Sequence, residues 1–215
     1  MSVYLLPANS YAVTQISDPG LTDYDIAARY RNGLNGWEIA AIYEDPFATT
    51  GAEIDFGTGW LYGTFLDFNV TYTASTGNLL LGIDYNNDST IAGNETISYT
   101  FSEFAGQGFQ YIDMMLVGNS ISDANVQNLY INGTSFGPFN SSGAWSQYYF
   151  DAGTTPSNIF ITGEVNMTAS GNAQERPKME FKFGAAVVPE PISSTLFIVG
   201  GATLGFRCFR KNFKK

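Results

Sequence analysis

Apolar and polar residues alternate along most of this chain. Leu66, Phe68, Val70 and Tyr72 alternate with Asp67, Asn69, Thr71 and Thr73. Ile159, Ile161, Gly163 and Val165 alternate with Phe160, Thr162, Glu164 and Asn166, and Met179, Phe181 and Phe183 alternate with Glu180 and Lys182. Period-two patterning means strands with one face buried. It predicts further strands at Trp37–Tyr43, Leu79–Asp84, Thr96–Phe101, Tyr111–Val117, Val126–Ile131 and Gln147–Phe150. Turn residues separate them, as in Ser75–Asn78, Asn86–Asp88, Asn132–Gly133 and Asn140–Gly143. About ten short strands at this spacing predict an all-β fold, an antiparallel β-sandwich of jelly-roll-like form. One short helix is expected at Tyr24–Arg31, capped by Thr22 or Asp23. With no repeat and no internal linker, residues 13–186 read as one domain.

The alternation stops at the start of residues 187–215, where three zones follow one another. Pro189 and Pro191 enforce an extended linker around Glu190. Ile192 to Phe206 is uncharged and mostly apolar, with Leu196, Phe197, Ile198, Val199 and Leu204 inside it. Arg207, Arg210, Lys211, Lys214 and Lys215 close the chain with positive charge, which holds a segment end on the cytoplasmic side. The apolar zone predicts a short hydrophobic helix. It is briefer than the roughly 20 residues of a full span, a gap that snorkelling by Arg207 and Arg210 closes.

Val188-Pro189-Glu190-Pro191, the apolar segment and the basic cluster together resemble the PEP-CTERM sorting signal. The resemblance covers about the last 28 residues. It implies a membrane transpeptidase of the exosortase type as partner and cleavage near Pro-Glu-Pro. It also implies transient anchoring in the inner membrane and delivery to the cell surface of a bacterium that makes extracellular polysaccharide. Such a protein carries an export signal at its other end. Residues 1–12 read as the remnant of one, with small residues Ser10 and Ala12 at the cleavage-site positions, so the coding sequence is expected to extend upstream. Trp37-Glu38-Ile39-Ala40, Leu66-Asp67-Phe68 and Val126 through Gly133 resemble the choice-of-anchor domains of such proteins, the one lettered W in particular. That resemblance implies location rather than chemistry.

Charge sharpens this picture. The chain carries 20 acidic and 10 basic residues, a net of −10. Without Glu190 and the five terminal cations, the body holds 19 acidic and 5 basic residues, a net of −14. Nucleic acid is excluded as a partner, because binding it needs clustered Lys and Arg. There is no histidine, and the one cysteine, Cys208, lies in the tail. Ser-His and Cys-His catalytic pairs are therefore absent from the chain.

Three clusters carry candidate chemistry. Glu53-Ile54-Asp55-Phe56 resembles the nucleophile half of a laminarinase-like glycosidase motif. Retaining hydrolysis needs a second carboxyl about 5 Å away, and Gly57 stands where that family places it. No catalytic residue is therefore assigned, and a non-enzymatic protein is expected. Asp84, Asn86 and Asp88, with Glu95 at the twelfth place, space oxygen groups as a calcium loop does. Ser89 stands where such a loop needs glycine, and a polar hairpin turn explains the same residues. Trp60, Tyr62 and Trp145 are candidates for stacking on a carbohydrate, against the alternative that they are core aromatics. The sequence thus predicts an exported structural or adhesive protein linked to extracellular polysaccharide, or, as the other class, a carbohydrate-binding module that uses calcium.

Overall fold

The computed structural model describes residues 12–21, 24–33, 36–44, 49–55, 63–141, 143–153, 158–169 and 177–185, with the side chains of 32, 33, 36–38, 49, 55 and 169 left aside. All belong to one unit that ends at Ala185. The strands are β1 (Thr14–Ile16), β2 (Ile26–Gly33), β3 (Gly36–Tyr43), β4 (Thr49–Asp55), β5 (Leu66–Thr73), β6 (Asn78–Ile83) and β7 (Thr96–Thr100). They continue with β8 (Tyr111–Val117), β9 (Ser122–Ile131), β10 (Thr134–Phe136), β11 (Phe139–Asn140), β12 (Trp145–Asp151), β13 (Ile159–Ala169) and β14 (Lys178–Gly184). Single 3₁₀ turns occur at Gly93–Glu95 and Ser102–Phe104.

These strands form two antiparallel sheets, as the alternation predicts. The first runs β1-β12-β8-β14-β2-β3-β4 and the second β10-β9-β13-β5-β6-β7, with β11 also on β9. The two last strands sit inside the sheets: β14 lies between β8 and β2, and β13 between β9 and β5.

One apolar core joins the inner faces of both sheets. Phe68 of β5 lies 5.7 Å from Phe181 of β14, and Tyr72 stacks on Phe183 at 6.4 Å. Tyr30 of β2 meets Phe68 edge-on, and its hydroxyl donates to the Asn69 carbonyl at 2.6 Å. A buried phenol keeps a partner in this way, because an unpaired hydroxyl in a core costs more than the bond returns.

The helix expected at 24–31 is a strand instead. Ile26, Ala28 and Tyr30 face the core while Arg29 and Arg31 do not. Pairing with β3 on one side and β14 on the other overrides the local preference of Ala27-Ala28 for helix. The tail helix expected at 192–206 lies outside the described residues. Among them, no helix is long and apolar enough to cross a membrane.

Charged groups gather on the outer face of the first sheet. Buried Glu180 accepts from Arg29 (Nε 3.0 Å) and from Lys178 (Nζ 2.6 Å). Lys182 pairs with Glu44 at 2.7 Å. Burial pushes the Glu180 carboxyl up, but Lys178, Arg29 and Lys182 outweigh it and hold the carboxyl below its ordinary value. Asp113 is less well served. It is fully buried, Oδ2 accepts from Gln147 at 2.9 Å, and Oδ1 has no hydrogen-bond partner. Burial drives its carboxyl up to about 6 against the Gln147 bond and the charge of Lys182, with Glu180 and Asp18 adding to the rise.

A carboxyl raised on folding favours the protonated form. The fold is therefore penalised above about pH 6 and relieved as pH falls towards the ordinary carboxylate range. The stability of the parent relative to Asp113→Asn is expected to drop by about 1–3 kcal/mol between pH 4 and pH 7.5. Urea unfolding of both proteins across that range measures it; a constant difference would contradict the burial argument.

Candidate binding site

The outer face of the second sheet carries a concavity of about 340 Å³. Its construction begins with an irregularity in β9. Buried positions run Ser122, Ala124, Val126 and then Leu129, Ile131, so one residue too many stands in between. The register confirms it: Thr162 opposes Tyr130, but Glu164 opposes Gln127. Asn128 takes up the extra residue at φ 50°. A bulge of this kind turns two consecutive side chains away from the core. Here they are Gln127 and Asn128, and both reach Glu164. Gln127 Nε2 donates to Oε2 at 2.6 Å and Asn128 Nδ2 to Oε1 at 2.8 Å.

Glu164 in turn stands directly across from Asp67 in the β13–β5 ladder. Two like charges in register repel. Burial first, then Glu164 and Asp84, raises the Asp67 carboxyl above its ordinary value. Asn69 continues the floor, with its Oδ1 buried and without a hydrogen-bond partner.

The wall opposite β9 comes from the loop after β6. Asn69 pairs with Gly82, and a Cβ on Gly82 would stand 2.7 Å from Ile91 Cγ2 and 3.0 Å from Asn69 Oδ1. Glycine is needed there so that Ile91 can close over the sheet. The loop that presents Ile91 contains Asp84, Asn86, Asp88 and Glu95. Asp84 is buried, and its two oxygens accept the backbone N–H groups of Asp88 (3.0 Å) and Ser89 (2.8 Å). Asn86 Oδ1 accepts from the Asp88 N–H at 2.9 Å, and Asp88 Oδ1 from the Thr90 N–H at 3.0 Å. Glu95 Oε2 accepts from the Ala92 N–H at 2.7 Å.

These four side chains thus serve the backbone of their own loop. In that geometry the oxygens are turned to successive N–H groups of the loop rather than to a common centre. Among the described residues, no three acidic, histidine or cysteine side chains gather with the geometry of a metal site.

One exposed aromatic, Tyr130, lines the concavity, and another, Phe160, stands on the same outer face. Tyr130 and Phe160 are 44% and 40% exposed, high values for side chains of this size. Tyr130 opposes Thr162, and the Asn132 N–H donates to the Phe160 carbonyl at 2.8 Å, so the two aromatics are diagonal neighbours on the outer face. Sequence reasoning nominated other aromatics. Trp145, 62% exposed, lies on β12 of the first sheet and does not join this site. Trp60 and Tyr62 lie outside the described residues. So do Val188 to Pro191, the apolar segment from Ile192 to Phe206, and the basic cluster from Arg207 to Lys215.

Chemically, the arrangement offers a charged acceptor locked by two amides, a second carboxyl beside it, further amide groups and an apolar rim. Retaining glycoside hydrolysis places two carboxyls astride a bond. Here they lie side by side on a sheet floor, and one has both oxygens engaged by protein donors. No protein-family model matches the chain, and no curated protein matches it either.

Asp84→Ala is expected to lower stability by roughly 2–3 kcal/mol, since two backbone donors lose a charged acceptor. Chemical denaturation in calcium and in chelator gives the same loss if the loop is held by Asp84 alone. A parent protein stabilised by calcium, with that gain abolished in the variant, would restore the metal reading.

Proposed function

We propose that this protein is exported and sorted to the cell surface by residues 187–215, and that its β domain acts there without catalysis, as a structural or adhesive component of an extracellular polysaccharide matrix. The observation that carries the sorting is the order Pro189-Glu190-Pro191, uncharged apolar segment, basic end. The absence of histidine from the whole chain supports a non-enzymatic role. The domain is a jelly-roll-like sandwich in this reading. Its later strands β8, β9, β12, β13 and β14 alternate between the two sheets, which favours that description.

A carbohydrate-binding module is the second reading. The polar concavity lined by Tyr130, with exposed Phe160 further along the same face, favours it.

Expression in a host that has an exosortase-type enzyme tests the sorting. Fused behind a functional export signal peptide, the intact chain is expected in the surface or extracellular fraction, shortened by the residues beyond Pro-Glu-Pro. A chain with Pro189, Glu190 and Pro191 replaced by alanine is expected full-length in the membrane fraction. Equal size and equal distribution of the two would overturn the proposal.

A further inference from the structure

Cations are unevenly placed in this domain, and their placement limits what the concavity can hold. Arg29 and Arg31 are on β2, Lys178 and Lys182 on β14, all in the first sheet. No strand of the second sheet contains a lysine or arginine. An anionic ligand on its outer face would meet Asp67 and Glu164 with no cation on the described strands of that sheet to offset them, so uronates and phosphorylated compounds are disfavoured.

A small cation fits poorly as well. Both Glu164 oxygens already accept from amides, and Asp67 is the one remaining carboxylate on the floor. Hydroxyl groups suit these surroundings better. A hydroxyl can donate to the Asp67 carboxylate and accept from an amide N–H in the same plane. An exposed ring beside such a floor covers the C–H face of a pyranose, which is apolar surface carrying equatorial hydroxyls at its edge.

We infer that the concavity bounded by Asp67, Asn69, Ile91, Asn128, Tyr130 and Glu164 binds a neutral saccharide, with Tyr130 and Phe160 as the apolar platform and Asp67 as an acceptor for sugar hydroxyls. The inference rests on the carbohydrate-binding reading, and places that site on the outer face of β5, β9 and β13 rather than at Trp145. The β9 bulge is central to it. The bulge turns Gln127 and Asn128 onto Glu164, so this carboxylate is oriented before any ligand arrives, and orientation in advance lowers the entropic cost of binding.

Native electrophoresis of the purified full chain through gels containing a soluble polysaccharide tests this. The probes are three neutral polymers (dextran, galactomannan and hydroxyethylcellulose) and one anionic polymer, polygalacturonate. Retardation is expected in at least one neutral gel and not in polygalacturonate. Tyr130→Ala and Phe160→Ala each weaken the interaction about tenfold, the loss of one stacked ring, and Asp67→Asn weakens it by a similar factor. Both aromatics are exposed, so thermal unfolding of their variants should match the parent, and Trp145→Ala should bind as the parent does.

The inference is overturned if no neutral polymer retards the chain, if polygalacturonate retards it equally, or if the aromatic variants are retarded as strongly as the parent. Binding in a gel does not depend on sorting. A chain that binds but is not sorted defeats only the proposed export, and a chain that is sorted but does not bind defeats only this site.

Discussion

Phe181 and Phe183 of β14 meet Phe68 and Tyr72 of β5 across the space between the sheets. The rest of the domain depends on that contact. Burial of both inner faces is the main stabilising term for a fold of this kind, and β14 and β13 each have sheet neighbours on both sides. Once those strands are seated, every inward residue dictates that its neighbours point out. A slip of one residue would invert a whole strand. The register does slip in β9, beside Gly163. There Asn128 absorbs the extra residue, and the outer face gains two adjacent amides in place of one. The irregularity costs a ladder position and supplies the side chains that orient Glu164.

The two outer faces are electrostatically unlike. On the first sheet, Arg29, Lys178 and Lys182 gather around Glu180 and Glu44, and the cost of burying Glu180 is offset by two close cations. Asp113, across the ladder from Lys182, has one unpartnered oxygen and a raised carboxyl. On the second sheet the charges are acidic only. The cations on the described strands, Arg29, Arg31, Lys178 and Lys182, thus all belong to the first sheet, and the strands of the second carry hydroxyl, amide and carboxylate groups.

Much of the strand content was legible from the chain because β5, β13 and β14 keep a clean period of two. β2 was misread since Ala27-Ala28 follows plausible caps, and only its pairing with β3 and β14 decides the matter. The short strands β1, β10 and β11 carry too few residues to show any period. The calcium spacing is a different case. Spacing places Asp84, Asn86, Asp88 and Glu95 in one loop, but cannot say whether their oxygens turn to a shared centre or to successive backbone N–H groups. Asp67 and Glu164, 97 positions apart, were not nominated as a pair at all. One signal was available: Gln127-Asn128 interrupts the alternation between Val126 and Leu129, which is the mark of a bulge.

What the sequence by itself determined is which face strands such as β5 and β14 bury, the three-zone order of residues 187–215, and the lack of histidine and of paired cysteines. These are local or compositional properties, and the chain carries them without reference to its partners in space. The tertiary structure alone decided that β13 and β14 stand inside the sheets, that the loop after β6 turns its carboxylates on itself, and that Glu164, Asp67 and two amides share one floor. Strand pairing joins segments far apart in the chain, and the choice among pairings is made by burying two apolar faces together, an outcome that no local pattern contains.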